Sequence, residues 1–199
     1  MYSFIAAVTW PLLHFGYRLR ARGMENVPAA GGFVLACNHV SSFDPWPLAF
    51  PLWPRRYFRF MAKSELYWWP LTIVLHRAGA FPVRRGQQDL EAIETAVSLA
   101  REGNVVTMFP EGTRRRKGLV NRHQARPRSG AARIALEAGV PLVPAAVKGT
   151  DKLMRFGKLS VAYGEPVPID DLRDGELGAS AREATERLMA RIYELEASL

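Results

Sequence analysis

Short apolar runs, separated by polar or glycine-containing stretches, recur along the whole chain. The clearest is Phe33–Cys37, which follows Gly31-Gly32 and ends at the polar pair Asn38-His39. Runs of this length with β-branched and aromatic residues are typical of buried strands. The same pattern predicts strands at residues 57–62, 80–83, 105–109, 142–147 and 159–163.

Between these runs the apolar positions repeat with helical spacing. Residues 87–102 form the most regular amphipathic pattern, followed by Gly103 as a helix terminator. Further helices are predicted to begin at Asp44-Pro45, at Ser64-Glu65, at Ser129 (ending at Gly139) and at a capping-box pattern over residues 180–183. Alternating strands and helices predict an α/β fold, here a single domain with a largely parallel or mixed central sheet flanked by helices.

The first 22 residues differ from the rest of the chain. Residues 1–17 carry no formal charge apart from His14, and three arginines follow by residue 22. Pro11 and the short length argue against a spanning helix, whereas Ile5, Val8, Leu12, Phe15 and Leu19 fall on one helical face. We predict an N-terminal membrane-interface helix over residues 1–22, with the arginines facing anionic head groups, followed by one domain over residues 23–199. The alternative is a helix that covers the protein's own core.

Residues 66–75 contain more apolar and aromatic side chains than a core-facing stripe requires. Such a segment is either buried on all sides or exposes one flank to lipid or to an acyl chain. The sequence leaves both possibilities open.

The distribution of charge along the chain indicates the kind of partner the protein binds. The chain has 199 residues and a net charge of +8, with 23 Lys/Arg against 10 Asp/Glu in residues 1–164 and four against nine after that. A basic body indicates an anionic partner such as phosphate, an anionic membrane surface or nucleic acid. The single cysteine, Cys37, excludes an internal disulfide, is compatible with a reducing compartment and is interpreted as a small buried apolar residue. The four histidines show no paired metal-ligand spacing, so no metal is expected.

The candidate chemistry lies directly after the strand Phe33–Cys37. His39 falls on the loop that leaves this strand, and Asp44 stands five residues later at a predicted helix start. If Asp44 accepts a hydrogen bond from one ring nitrogen, the other nitrogen is free to act as a base. The alternative is a loop histidine and a helix-capping aspartate that do not touch.

Four segments in order resemble the motifs of the glycerolipid acyltransferases, the family of 1-acylglycerol-3-phosphate acyltransferases. Asn38-His39-x-Ser41-x-x-Asp44 resembles the His-x4-Asp motif, and residues 109–114 (Phe-Pro-Glu-Gly-Thr-Arg) match the third motif. Residues 79–84 and 140–144 resemble the second and fourth. Because His39, Arg84 and residues 111–114 each follow a predicted strand, parallel strands would bring them to one edge of the sheet.

The resemblance implies transfer of an acyl group from a thioester of coenzyme A or acyl carrier protein to a 1-acylglycerol-3-phosphate acceptor, giving phosphatidic acid. His39 would be the general base and Asp44 its orienting acid. Arg84 and Arg114 would bind the acceptor's phosphate, with Glu111, Gly112 and Thr113 around it. No cofactor is implied, and the expected location is the cytoplasmic face of the membrane.

The chain departs from this family between its third and fourth motifs. Arginines and lysines from Arg114 to Arg128 continue without an acid, and Pro127-Arg128-Ser129-Gly130 stands where the family has a Phe-Lys-x-Gly-like segment. This basic stretch could bind head groups or the anionic donor, or simply be a solvated loop. A nucleic-acid-binding role is disfavoured because aromatic residues do not alternate with the basic ones. Another lysophospholipid or a glycolipid remains the alternative acceptor.

Overall fold

A computed structural model describes residues 8–83, 90–112 and 127–199. Its centre is a seven-stranded mixed sheet in the order β1-β7-β6-β2-β5-β3-β4. The strands are β1 Arg20–Arg22, β2 Phe33–Cys37, β3 Phe58–Lys63, β4 Ala80–Val83, β5 Val105–Met108, β6 Leu142–Lys148 and β7 Ser160–Tyr163. The strands from β6 to β4 run parallel, whereas β7 is antiparallel to β6 and β1 is parallel to β7. The predicted fold class is confirmed.

Apolar residues cover both faces of the sheet, which explains the continuous apolar runs. Every residue of β2 is buried, as expected for a strand in the middle of a parallel sheet with covered faces. Val34 and Ala36 face one core cluster, and Phe33, Leu35 and Cys37 face the other.

Helices pack on both faces. They are α1 Pro45–Ala49, α2 Leu71–Arg77, α3 Leu90–Arg101, α4 Gly130–Ala138 and α5 Leu177–Ala197. Side chains of α3, α4 and α5 form the first cluster with the sheet, and α1 contributes Leu48 and Ala49 to the second. Gly139 ends α4 with a φ of +71°, a left-handed conformation that glycine adopts without strain.

Two predicted helix starts are wrong. The terminal helix begins at Leu177, because the Glu176 carboxylate accepts hydrogen bonds from the N–H groups of Gly178 and Ala179 at 2.8 and 2.7 Å. These bonds hold the pKa of Glu176 below its usual range, and Ser180 is a buried residue inside the helix. The Ser64-Glu65 start gives only a 3-10 turn, Ser64–Leu66. The α-helix begins only at Leu71. Pro70 directly precedes it, and a proline disfavours helical backbone at the residue before it, here Trp69.

The N-terminal helical segment, residues 8–16, ends earlier than the predicted stripe. Its last five residues, Leu12–Gly16, form a π-helical turn, and the chain then enters β1, so Leu19 lies outside the helix. Leu13 and Tyr17 are buried, whereas Val8, Leu12 and Phe15 are exposed. Leu13 and Tyr17 therefore attach the segment to the protein, and the predicted apolar face is exposed at Val8, Leu12 and Phe15. Among the described residues no helix is long and apolar enough to span a bilayer.

Candidate functional site

The carboxyl ends of β2, β3, β4, β5 and β6 lie at one edge of the sheet, because these strands are parallel neighbours. His39 follows β2 and the turn containing Glu111 and Gly112 follows β5, the adjacent strand. The prediction that these two segments meet at one edge is confirmed for the described residues. This edge is the place where ligands gather in parallel α/β sheets.

His39 and Asp44 are in direct contact. His39 Nδ1 lies 2.7 Å from Asp44 Oδ2, and the two residues are 7% and 0% exposed. Because a carboxylate only accepts, Nδ1 carries the proton and Nε2 is the nitrogen left to accept one. The alternative of two residues without contact is excluded.

Asp44 does not act as a helix cap, contrary to prediction. It occupies the position before α1, but its side chain makes no capping bond. Instead, Oδ2 also accepts from the N–H groups of Val40 and Ser41 at 2.7 and 2.9 Å, which folds the loop back around the carboxylate. The five-residue spacing between His39 and Asp44 therefore allows the loop to fold back, so that His39, Val40 and Ser41 all bond to Asp44 Oδ2.

The second oxygen of Asp44 has a partner that the sequence did not reveal. Thr150 Oγ1, two residues after the end of β6, donates to Asp44 Oδ1 at 2.5 Å, and Thr150 is buried. Thr150 stands 106 positions after Asp44 in the chain, six residues beyond the fourth motif (residues 140–144). The motif's position offered a weak signal, but spacing alone could not place this hydroxyl against Asp44.

Asn38, the residue before His39, fixes the end of β2. Its side-chain amide donates to the Val147 carbonyl at 3.0 Å and accepts from the Val147 N–H at 2.8 Å. This pair continues the β2–β6 pairing by one step beyond the last strand residue. Cys37 is fully buried beside it as predicted, and burial, with lesser contributions from the Asp44 and Glu111 charges, raises the pKa of its thiol.

Phe109 packs against the face of the His39 imidazole. Its ring stacks on His39 with centroids 4.2 Å apart and an interplanar angle of 24°. The following turn closes with the Gly112 N–H donating to the Phe109 carbonyl at 3.0 Å. His39 is therefore fixed by a hydrogen bond in its plane and by an aromatic face against it. Sequence reasoning assigned Phe109 to a motif without a role.

The glycine of this turn is favoured by its left-handed backbone conformation. Gly112 has a φ of +70°, and a Cβ there would lie 2.7 Å from Arg128 Nε. Arg128 also donates its backbone N–H to the Pro110 carbonyl at 2.8 Å. Arg128 thus lies directly over the Phe-Pro-Glu-Gly turn, residues 109–112.

An open groove of about 1170 Å³ begins at His39 and extends towards α5. Much of its lining is apolar, including Val83, Ile93, Met108 and Met189, with Arg128 and Arg182 among the polar contributors. A groove of this composition and size suits a long apolar ligand with a charged end.

Several predicted site residues cannot be placed. Arg84, Thr113 and Arg114 lie outside the described residues, as does most of the basic stretch up to Arg128. Glu111 and Gly112 are described, and both are partly buried. Within the described ranges no three His, Cys, Asp or Glu side chains are grouped so that they could hold a metal ion.

The apolar segment 66–75 is exposed, so burial on all sides is excluded. No residue of α2 is buried, and Trp69 is 80% exposed. Several further apolar side chains follow strands at the same edge of the sheet as His39. We call this group the apolar rim: Phe43, Leu66, Trp68, Trp69, Met154 and Phe156.

Comparisons with known proteins agree with the resemblance seen in the motifs. The sequence model of the family described as Acyltransferase matches residues 18–148. The chain is 33% identical over 205 residues to the 1-acyl-sn-glycerol-3-phosphate acyltransferase of Bacillus subtilis (strain 168), covering 100% of this chain and 98% of that one. It is 29% identical over 199 residues to the human 1-acyl-sn-glycerol-3-phosphate acyltransferase alpha, covering 92% of this chain and 67% of the human one.

A solved structure has the same fold. The crystal structure of the 1-acyl-sn-glycerophosphate (LPA) acyltransferase PlsC from Thermotoga maritima superposes with a TM-score of 0.67 at 24% sequence identity. The match covers 98% of this chain and 80% of that one.

Proposed function

Because the chain belongs to the acyltransferase family, and within it to the 1-acyl-sn-glycerol-3-phosphate acyltransferases, we propose that it acylates the free hydroxyl of 1-acylglycerol-3-phosphate to give phosphatidic acid. The observation that carries this proposal is the buried contact between His39 and Asp44 at a groove mouth. The acyl donor is a thioester of coenzyme A or of acyl carrier protein.

His39 acts as the general base in this mechanism. As the acceptor oxygen attacks the thioester carbonyl carbon, its proton passes to His39 Nε2, and a tetrahedral oxyanion forms. Collapse of this intermediate breaks the carbon–sulfur bond, and the imidazolium returns the proton to the departing thiolate. Transfer is direct, without an acyl-enzyme.

Asp44 and its partners make this base effective. The Asp44 carboxylate holds the Nδ1 proton of His39 and stabilises the imidazolium that forms. The N–H groups of Val40 and Ser41 and the Thr150 hydroxyl fix the carboxylate in turn. We assign Thr150 as a positioning residue, because it acts on the base through Asp44.

The acceptor's phosphate requires cations with fixed geometry, and guanidinium groups match it bidentately. Arg84 and Arg114 are the proposed ligands, with Thr113 and the Gly112 backbone as further donors. Glu111 would bind Arg114 or the glycerol. Arg128 supplies a further guanidinium group at this turn, because its side chain lies over Gly112. The apolar groove would hold the acyl chain.

Because the proposed acceptor is a membrane lipid, we propose peripheral or monotopic attachment at the cytoplasmic face of the membrane. Exposed Val8, Leu12 and Phe15 support this, together with the exposed tryptophans that follow β3. Tryptophan is favoured at the membrane–water interface, and the basic body of the protein complements anionic head groups.

The proposal is tested by incubating the purified protein with vesicles, lysophosphatidate and a labelled acyl thioester. Removing a general base lowers the rate by about 10²–10⁴-fold, so His39→Ala should reduce phosphatidic acid formation to that extent. His76→Ala, at an exposed histidine of α2, is the matched control. Undiminished transfer by folded His39→Ala would contradict the mechanism.

The same assay identifies the acceptor when it is run with a panel of lysolipids with and without phosphate. Preference for a non-phosphorylated acceptor would replace lysophosphatidate by a glycolipid. Arg84→Ala should slow transfer only to the phosphorylated members of the panel.

A further inference from the structure

The connector between β6 and β7, residues 149–159, exposes large apolar side chains that the catalytic proposal does not use. Met154 is 96% and Phe156 63% exposed. Phe156 has a φ of +48°, a left-handed conformation that is unfavourable for a bulky side chain. Neither exposed side chain belongs to a core cluster.

Phe156 belongs to the same surface as the N-terminal helical segment. Its ring stacks on Tyr17, with centroids 5.4 Å apart at an angle of 19°. The Tyr17 hydroxyl donates to the Leu153 carbonyl at 3.2 Å. Side-chain atoms of Leu12 and Phe156 lie 3.1 and 3.7 Å from the position that a Cβ on Gly16 would take. The exposed Leu12 and Phe156 therefore flank one glycine and form a continuous apolar surface.

Exposed basic residues lie in the same segments of the chain as these apolar side chains. The connector and the end of β6 carry Lys148, Lys152, Arg155 and Lys158 against one acid, Asp151. Arg18 is exposed beside Tyr17. Apolar side chains within a basic border are complementary to an anionic bilayer, into whose head-group layer they insert while the cations remain at the surface.

The connector also lies next to the catalytic pair. β6 is parallel to β2, so the connector leaves the same edge of the sheet as His39. Its first helical residue, Thr150, donates to Asp44. Trp46, two residues after Asp44, packs edge-on against Tyr17 with ring centroids 6.2 Å apart. A membrane contact here would place the base beside the lipid substrate.

We propose that the β6–β7 connector is a second membrane-binding element, which inserts Met154 and Phe156 into an anionic phospholipid surface beside the N-terminal helical segment. It rests on the proposed function only for the identity of the lipid substrate. An acidic protein such as an acyl carrier protein is the competing partner, and the continuous apolar surface with the N-terminal helical segment favours lipid.

The test compares the full-length protein with the double variant Met154→Ser/Phe156→Asn, in which asparagine tolerates the left-handed backbone. Partition is measured by co-sedimentation with phosphatidylcholine–phosphatidylglycerol vesicles and with pure phosphatidylcholine vesicles. Losing two apolar contacts should weaken binding to the mixed vesicles by about tenfold. The transfer rate with vesicle-embedded acceptor, divided by that with monomeric acceptor, should fall in parallel.

Met24→Ser is the matched control. Met24 is also an exposed methionine, but it follows β1, whose end lies beside Tyr163 at the opposite edge of the sheet. Its partition should equal that of the unsubstituted protein. Equal vesicle binding by all three proteins would overturn the proposal, as would the double variant losing binding to acyl carrier protein while keeping vesicle binding. If the protein binds vesicles through this surface but transfers no acyl group, the proposed function fails and the membrane element stands.

Discussion

The catalytic pair and the apolar rim both lie at the same edge of the sheet, but the pair is buried and hydrogen-bonded whereas the rim is exposed to solvent. At Asp44 a buried carboxylate receives four hydrogen bonds, from His39, Val40, Ser41 and Thr150. At the rim, Trp69 and Met154 are almost fully exposed. A buried charge without partners is strongly destabilising, whereas exposed apolar side chains are tolerated singly and in a group indicate a binding surface. The polar groups of the pair bond to one another within the chain, whereas the rim has the character of a surface that binds a partner.

The largest effect is expected at the centre of the pair. Asp44→Asn replaces an acceptor by an amide that cannot hold the Nδ1 proton and both loop N–H groups in the same way, so the imidazole loses its orientation. Transfer should fall by about 10³–10⁴-fold, as measured with labelled thioester.

Asp174→Asn, in an exposed loop, is the control for this substitution and should be fully active. Asp44→Asn retaining activity within a factor of about ten would show that the pair does not act as base and orienting acid.

The same substitution, isoleucine to alanine, should affect the free energy of unfolding very differently in the core and on the surface. Ile192 of α5 is completely buried, and Ile73 of α2 is 43% exposed. Ile192→Ala should lower the free energy of unfolding by about 2–5 kcal/mol, because it leaves a cavity. Ile73→Ala should change it by less than about 0.5 kcal/mol, as at other surface sites.

Denaturant unfolding of both variants measures the difference directly. Equal losses at the two positions would mean that α2 is packed against the protein, and the surface around it would then not be available to lipid.

The smallest of these effects is expected one step away from the base. Thr150→Val removes the hydroxyl that holds Asp44 Oδ1 and should lower kcat about tenfold with little change in KM, a loss typical of one removed hydrogen bond to a charged group. Thr150→Ser keeps the hydroxyl and should restore most of kcat.

Thr95→Val tests whether the loss of any threonine hydroxyl slows transfer, since the Thr95 hydroxyl donates to the Glu91 carbonyl within α3. If Thr150→Ser is as slow as Thr150→Val, or if KM alone changes, Thr150 does not position the pair.

Local sequence patterns carried most of the fold. The apolar runs located six of the seven strands within a residue or two, because strands buried on both faces are apolar throughout. β1 was missed, since Arg20–Arg22 is a short, polar edge strand that has no such pattern. The start of α5 was misplaced because Ser180–Glu183 imitates a capping box, while Glu176 makes the actual capping bonds.

The candidate site could be predicted only in part from the sequence. The motifs identified His39, Asp44, Glu111 and Gly112, and the turn length allowed the His39–Asp44 contact. Phe109 stacking on His39 and Thr150 bonding to Asp44 were not predicted. The roles of Arg84, Thr113 and Arg114 stay predictions, because those residues lie outside the described ranges.

What periodicity and motif order specify is local: which segments are strands, which are helices and which residues follow a strand end. These properties depend on backbone preference and on neighbours within a few positions. The partners of Asp44 and the exposure of residues 66–75 required the three-dimensional arrangement of the chain. A hydrogen bond between residues 106 positions apart depends on how β6 pairs with β2, and an apolar segment looks alike in sequence whether it faces a core or a membrane.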